Sequence, residues 1–351
     1  MRVLMICTVK FDISGIPIHI INYANKLCEF NGMKIDIISS EFDDDAIKKI
    51  NTQKINLIEI ERNRNPLMYM KKLRTCVKRN KYDIVHIHGN SSTMSIELFA
   101  CSLINVKKIV HAHNIRCTHN IINVVFKPFL IGLSDMKFAC STEAGKWLYG
   151  SKFDVINNGI YNEKYKYCEK SRKLIREQYN IDDSIILLGN IGTFNYQKNH
   201  EFLIDIALNL PSDKYKFMLI GGGEKDNFVS CIERAGVSKQ FIILDADINI
   251  QKYYSAFDIF LLPSRWEGLG MVIVEAQYAS LKSIITNTLP QEVEVSELLK
   301  RVSLKSELWA KEIEKLSIDN NDRNLNYIVK HKYEIEHCTE YLLQKYKEIL
   351  A

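Results

Sequence analysis

Residues 257–280 read FDIFLLPSRWEGLGMVIVEAQYAS. Residues 257–262 form an apolar run of the length of a buried strand, and Pro263 and Ser264 end it. A turn with two glycines follows, Glu267-Gly268-Leu269-Gly270, and residues 271–279 then read as a helix with almost no polar face. Glu275 lies inside that helix, where a carboxylate is costly unless something pairs with it or hydrogen-bonds to it. Strand, glycine turn and buried helix in this order suit a phosphate site. The glycines let the backbone come close to a ligand. The first N–H groups of the helix have no partner within it and carry its positive dipole end. Carboxylates on either side of such a turn can hold sugar hydroxyls about a pyrophosphate. The same residues also fit a tight strand–helix turn whose glutamate is satisfied by neighbouring backbone.

The rest of the chain repeats the alternation of apolar run and amphipathic stretch. Strands are expected at residues 3–8, 35–39, 54–60, 84–88, 107–112 and 136–140, then again at 185–191, 217–220, 241–244 and 283–286. Helices are expected between them, among others at 16–30, 66–79, 120–133, 170–179, 307–316 and 333–349. That rhythm predicts parallel, doubly wound α/β sheets, and 351 residues predict two domains.

Apolar content is ordinary and glycine and proline are few, which excludes a disordered chain. The nine cysteines are scattered without a C-x-x-C pair. This argues against a disulfide framework or a cysteine zinc site and for a reducing cytoplasm. Residues 3–9 resemble a minimal signal peptide, but Lys10 and Asp12 follow at once without a cleavage site, so a first buried strand is expected. No apolar run reaches the ~18 residues that span a bilayer. Residues 1–165 carry 23 Lys+Arg against 15 Asp+Glu, and the remainder 24 against 27. A basic front half suits an anionic membrane surface or a phosphate-bearing acceptor, though ordinary solvated surface gives the same count. Nucleic acid is not among the expected partners.

Several further residues are candidates. Gly15 sits in the turn after the first strand, the edge where open α/β sheets bind ligands. Two H-x-H pairs end strands, His86/His88 and His111/His113, each pair on one strand face. Without accompanying carboxylates or cysteines they are read as non-metal, with His113 at a strand tip facing the site and His86 and His88 structural. Helix 66–79 is basic on its outer side, through Lys71, Lys72, Arg74, Lys78 and Arg79, and is read as a surface helix. Helix 120–133, rich in Ile, Val and Phe, is read as core, with a lipid-facing patch as the other possibility. Together the two helices are candidates for seating a lipid-linked acceptor. Gly221-Gly222-Gly223 permits close backbone approach or plain turn chemistry. Asp245-Ala246-Asp247 spells D-x-D, a spacing common by chance and discounted as a metal motif.

The pattern P-S-x-x-E-G-x-G-x-x-x-x-E-A from Pro263 to Ala276 resembles the donor-site motif of glycosyltransferase family 4, closest to its capsular and exopolysaccharide branch. Ala139 to Leu148 and Ile156-Asn157-Asn158-Gly159-Ile160 extend the resemblance, so that it covers most of the chain. It implies the GT-B fold: two Rossmann-like domains facing across a cleft, residues 1–165 and 183–332, with the last helix packed back on the first domain. It implies a retaining, hexosyltransferase-type enzyme. Such an enzyme moves a sugar from a nucleotide donor, here a UDP-sugar, to a lipid-linked or growing polysaccharide, without a metal or other cofactor. It is expected in the cytoplasm, peripheral on the membrane. By resemblance Glu275 holds the ribose, Glu267 contacts the donor sugar and His113 supports the reaction. The N–H groups of Gly268, Leu269, Gly270 and Met271 meet the diphosphate, and Asp245 edges the base. In the loop from Gly192 to His200, Lys198 stands in the place of a diphosphate-gripping lysine, whereas Thr193 stands where the family carries arginine. Arg265 and Arg116 are the candidates to replace that cation. The turn at Gly15 also departs, with Ser14-Gly15 for two adjacent glycines. An epimerase of the same fold, a phosphorylase and a weakly active or non-catalytic partner subunit are the rival readings.

Overall fold

The computed structural model describes residues 1–62, 65–117, 120–246, 249–318, 323 and 331–351. The chain forms two compact units, Met1–Ile160 with Lys332–Ala351, and Tyr161–His331.

The first unit is built on a seven-stranded sheet. Its strands are β1 (Arg2–Cys7), β2 (Lys34–Ser39), β3 (Ile55–Glu59), β4 (Ile84–Gly89), β5 (Lys107–Ala112), β6 (Met136–Ala139) and β7 (Asp154–Val155). All pairings are parallel and the order is β3-β2-β1-β4-β5-β6-β7. Val3, Leu4, Met5 and Ile6 are fully enclosed, as the near-continuous apolar runs of a sheet covered on both faces require. Helix Gly15–Leu27 buries Ile20, Tyr23, Ala24 and Leu27. Helix Ile335–Leu350 packs against it and buries Ile335, Cys338, Leu342 and Tyr346. The Tyr346 hydroxyl lies 2.6 Å from His86 Nδ1, which joins the last helix to the central strand β4.

One expectation is overturned here. Helix Asn120–Leu133 is not core: only Asn123 and Leu130 are buried, while Ile121 (81%), Val124 (70%) and Val125 (57%) are exposed. Polar contacts seat it instead. Asn123 Oδ1 accepts from Ser92 N at 2.8 Å, Ser92 Oγ donates to Asn123 O at 2.6 Å, and Ser95 Oγ donates to Phe126 O at 3.1 Å.

The second unit repeats the plan with six strands: β8 (Ile186–Ile191), β9 (Tyr215–Ile220), β10 (Phe241–Leu244), β11 (Ile259–Leu262), β12 (Lys282–Thr286) and β13 (Leu299–Val302). They pair in parallel in the order β10-β9-β8-β11-β12-β13. Phe217, Leu219, Leu203 and Trp309 anchor the core on one side of this sheet. The stretch 161–183 belongs to this unit. Arg172 and Arg176 of its helix Glu169–Gln178 pair with Asp258 at 2.7 and 3.0 Å. The buried Arg323 donates to the carbonyls of Tyr254, Ser255, Phe257 and Ala279, tying together the ends of two helices.

Candidate functional site

In each sheet the strand order reverses between the first strand and its later neighbour: β1 and β4 in one unit, β8 and β11 in the other. Open α/β sheets take ligands just beyond the carboxyl ends of such a pair. In the second unit the loops that leave β8 and β11 are 192–199 and 263–270, and they are tied together. Asn199 Nδ2 donates to Pro263 O at 3.0 Å and Arg265 N to Gln197 O at 2.8 Å. Across this junction Lys198 Nζ lies 2.7 Å from Glu267 Oε1. Ser264 Oγ donates to the same oxygen at 2.6 Å, and Gln197 Nε2 to Oε2 at 3.1 Å. Glu267 is only 5% exposed. Three donors thus fix a buried carboxylate, one of them a cation that an arriving anion can share.

Helix Met271–Tyr278 starts directly behind it. Gly270 adopts φ +86°, and no side chain caps the helix and no acid occupies its first turn. A Cβ on Gly270 would stand 3.3 Å from Glu267 Cγ and would also strain the backbone, so glycine serves both the turn and the carboxylate beside it. Leu269 is buried and Met271 half-buried. One turn further on, Glu275 is 8% exposed, and the Tyr254 hydroxyl donates to its Oε2 at 2.7 Å. Burial pushes this carboxyl above the ordinary range, while the Tyr254 and Tyr165 hydroxyls pull it down.

The remaining candidates of this unit lie around the same loops. Gly192 sits against Lys198, with room for a Cβ only 3.2 Å from Lys198 Cδ. Thr193 is exposed. Arg265 is engaged within its own surroundings: Nη1 donates to Tyr196 O at 2.9 Å, and the guanidinium lies 4.1 Å from the centre of the Tyr196 ring. Asp245 is exposed and pairs with Lys225, and Asp247 lies outside the described residues. The glycine triplet serves loop packing. Phe194 N donates to Gly222 O at 2.8 Å, and a Cβ on Gly221 would fall 2.0 Å from Gly192 O.

Gly15, Arg116 and His113 belong to the first unit. Gly15 opens helix Gly15–Leu27, and a Cβ there would meet nothing within 4 Å. Arg116 is exposed. His113, half-buried beyond the end of β5, stacks on His111 at 4.2 Å and places Nε2 3.1 Å from His88 Nδ1. Burial drives His19 down to about 3, and His86, His88, His111 and His113 well below the usual imidazole value.

Reading the sequence did not single out Ser264, Gln197, Tyr254 or Tyr165 as partners of the two glutamates. Ser264 is three residues before Glu267 and was within reach of a local argument. Tyr254 and Tyr165 are remote in sequence from Glu275 and carry no signal.

Two family profiles match the chain: the one described as Glycosyltransferase Family 4 over residues 13–164, and the one described as Glycosyl transferases group 1 over residues 171–331. The chain belongs to the family 4 glycosyltransferases. This glycosyltransferase is 26% identical over 269 residues to the glycosyltransferase EpsF of Bacillus subtilis, covering 71% of this chain and 70% of that one. It is 24% identical to the capsular polysaccharide biosynthesis glycosyltransferase CapH of Staphylococcus aureus, covering 77% and 79%. It is also 26% identical to the UDP-Gal:alpha-D-GlcNAc-diphosphoundecaprenol alpha-1,3-galactosyltransferase of Escherichia coli, covering 60% and 59%. Among solved structures, Alr3699/HepE of Anabaena in complex with UDP-glucose matches with a TM-score of 0.81 at 16% identity, covering 99% of this chain and 100% of that one. The glycosyltransferase therefore has the GT-B fold, and its relatives act in bacterial polysaccharide synthesis.

Proposed function

We propose that this glycosyltransferase moves a hexose from a UDP-sugar to a hydroxyl of a lipid-linked or growing polysaccharide, with retention at the anomeric carbon. The observation that carries the donor half is the Lys198–Glu267 pair, fixed at the strand-order reversal beside the start of helix Met271–Tyr278. A departing nucleoside diphosphate gains negative charge. A fixed ammonium and oriented backbone N–H groups stabilise that charge without rearranging. In this reading Lys198 transfers its partnership from Glu267 to the diphosphate, and the N–H groups of residues 268–271 complete the cradle. Glu267, released from the ammonium but still held by Ser264 and Gln197, turns its charge toward the donor sugar. Glu275 takes the ribose hydroxyls, and Asp245 and His113 keep the roles the family resemblance gives them. In this reading the leaving phosphate itself accepts the acceptor proton, so no second catalytic carboxylate opposite Glu267 is needed, unlike the paired acids of glycoside hydrolases. With the charge met in this way, we propose no metal at the diphosphate.

The acceptor half rests on the first unit. Helix Asn120–Leu133 turns Ile121, Val124 and Val125 to solvent. Helix Pro66–Asn80 exposes Lys71, Lys72 and Arg79, which line a groove of about 520 Å³ with Met68 and Ile58. Helix Ser95–Cys101 packs against both. Exposed apolar side chains and a basic groove in the same unit each complement an anionic lipid surface, so we propose that this unit meets the membrane that carries the acceptor. No helix among the described residues is long and apolar enough to cross it, and a cytoplasmic enzyme held peripherally fits this reading.

Titration with UDP by calorimetry, followed by turnover of a UDP-sugar panel with the product anomer read by NMR, tests the proposal. UDP binding with transfer and retention is expected. No UDP binding overturns it, and inversion overturns the stereochemical part. One observation favours a second reading, a donor-binding partner without activity: Thr193 offers no cation and Arg265 is bonded to Tyr196. Tight UDP binding without transfer to any acceptor supports that reading.

A further inference from the structure

The first unit brings four histidines from three segments against one another. His19 comes from helix Gly15–Leu27, His88 from β4, His111 from β5, and His113 from just beyond its end. One ring nitrogen from each lies within 4.8 Å of the others. The cluster stands at the carboxyl end of β4, beside β1, where the strand order of this sheet reverses and ligands are taken.

Pairing within the protein does not account for these nitrogens. Among the described residues, both ring nitrogens of His19 and both of His111 are buried without a hydrogen-bond partner, as is Nε2 of His88. Asn158 approaches His19, yet its own Oδ1 is buried without a partner. The one hydrogen bond inside the group joins His88 Nδ1 to His113 Nε2 at 3.1 Å. Buried polar atoms without partners are rare in folded proteins, and a bound ion is one arrangement that satisfies them.

We propose that His19, His88, His111 and His113 form a binding site for a divalent first-row transition metal, with Zn²⁺ as the chief candidate. The donor set is all imidazole, without carboxylate or carbonyl ligands, which disfavours Mg²⁺ and Ca²⁺ and suits Zn²⁺, Ni²⁺, Co²⁺ or Cu²⁺. Zinc holds imidazole nitrogen at about 2.0–2.1 Å, so binding draws the four atoms inward by small rotations of the rings. His86 stacks against the group, 4.0 Å from His88 between ring centres, and its bond to Tyr346 holds it as an outer support. The site would fasten helix Gly15–Leu27 to the two central strands. It shares His113 with the transfer reaction proposed above and otherwise stands independently of it.

The test uses the full chain without an affinity tag, stripped with chelator and titrated with ZnCl₂ by calorimetry and with CoCl₂ by absorption. One equivalent per chain and the visible bands of four-coordinate cobalt are expected, with MgCl₂ giving neither. His19→Phe and His111→Phe are expected to weaken zinc at least 100-fold, whereas His337→Ala, at an exposed position, leaves it unchanged. X-ray absorption of the zinc-loaded wild type keeps the question open to decision even if those variants do not fold: three or four imidazoles in the first shell support the site. No zinc binding, binding that survives both substitutions, or a shell with fewer than three imidazoles overturns it.

Discussion

At the scale of single residues, the donor site depends on which groups already have partners. Lys198 has its charge committed to Glu267 and is the cation placed at the strand-order reversal, whereas Arg265 spends its guanidinium on Tyr196. Lys198→Ala is therefore expected to lower kcat by about 10²–10³-fold, the cost of losing one charge-stabilising donor. Arg265→Ala should change it little. Steady-state kinetics on both, in protein shown by circular dichroism to be folded, decide the matter, and equal losses would mean that Arg265 swings into the missing arginine's place. Glu275 gives a pH argument. Burial raises its folded pKa, so its neutral form is favoured in the folded state. Stability from this group is then present below the unfolded carboxylate value of about 4.3 and lost as pH rises through the raised value. Glu275→Gln should keep or raise Tm at pH 8 while weakening UDP about 10-fold or more. A lower Tm would mean that the charged form is the one the fold prefers. His200 runs the other way. Burial, with Lys198 adding to it, lowers its pKa to about 4, and its ring stacks on Phe194 at 4.1 Å. Its contribution is present above the unfolded value of about 6.5 and is lost as pH falls toward 4, up to about 3 kcal/mol. His200→Phe should flatten that part of the stability curve, as read by thermal denaturation at stepped pH.

At the scale of elements, the apolar helix Asn120–Leu133 is where reading and structure part. Its composition says only that something apolar should cover it; water, lipid and protein core are not distinguished by a run without a polar period. With Ile121 and Val125 exposed, Ile121→Asp/Val125→Asp should leave Tm unchanged while abolishing sedimentation with vesicles rich in anionic lipid. Binding that persists, or a protein that unfolds, would remove the membrane role. The strands were far more legible. Buried parallel strands are short, continuous apolar runs, and β5 and β10 match their expected bounds. Edge strands β7 and β13 escaped, since Asp154–Val155 is two residues long and Leu299–Val302 carries Lys300 and Arg301 side by side, neither a continuous apolar run nor an alternation. The motif around Glu267 was legible because strand, turn and helix are contiguous. Its support by Gln197 and Tyr254, and the meeting of His19 with the H-x-H pairs, were not, because each joins segments that only the sheet order brings together.

At the scale of the whole molecule, the first unit is discontinuous. The last helix supplies Ile335, Leu342 and Tyr346, all fully buried, to a core otherwise made from residues 1–160. Removing residues 335–351 should leave that unit unfolded while the second unit, whose residues are contiguous, keeps a cooperative transition. Calorimetry on the truncated chain should show one transition in place of two. A milder change, Tyr346→Phe, takes from His86 Nδ1 its only hydrogen bond recorded among the described residues and should cost about 1–3 kcal/mol. No change in Tm would mean that water or another group readily replaces the hydroxyl.

The same closing helix sets a schedule on the ribosome. Between Ile160 and Ala351 synthesis takes roughly 10–40 s at about 5–20 residues per second. For that interval the half made first lacks the helix that completes its core, while the half made later can already be complete. Nascent chains of this protein should therefore hold chaperones on their oldest segment until residues 332–351 have emerged, and slowing translation of those codons should lengthen that hold.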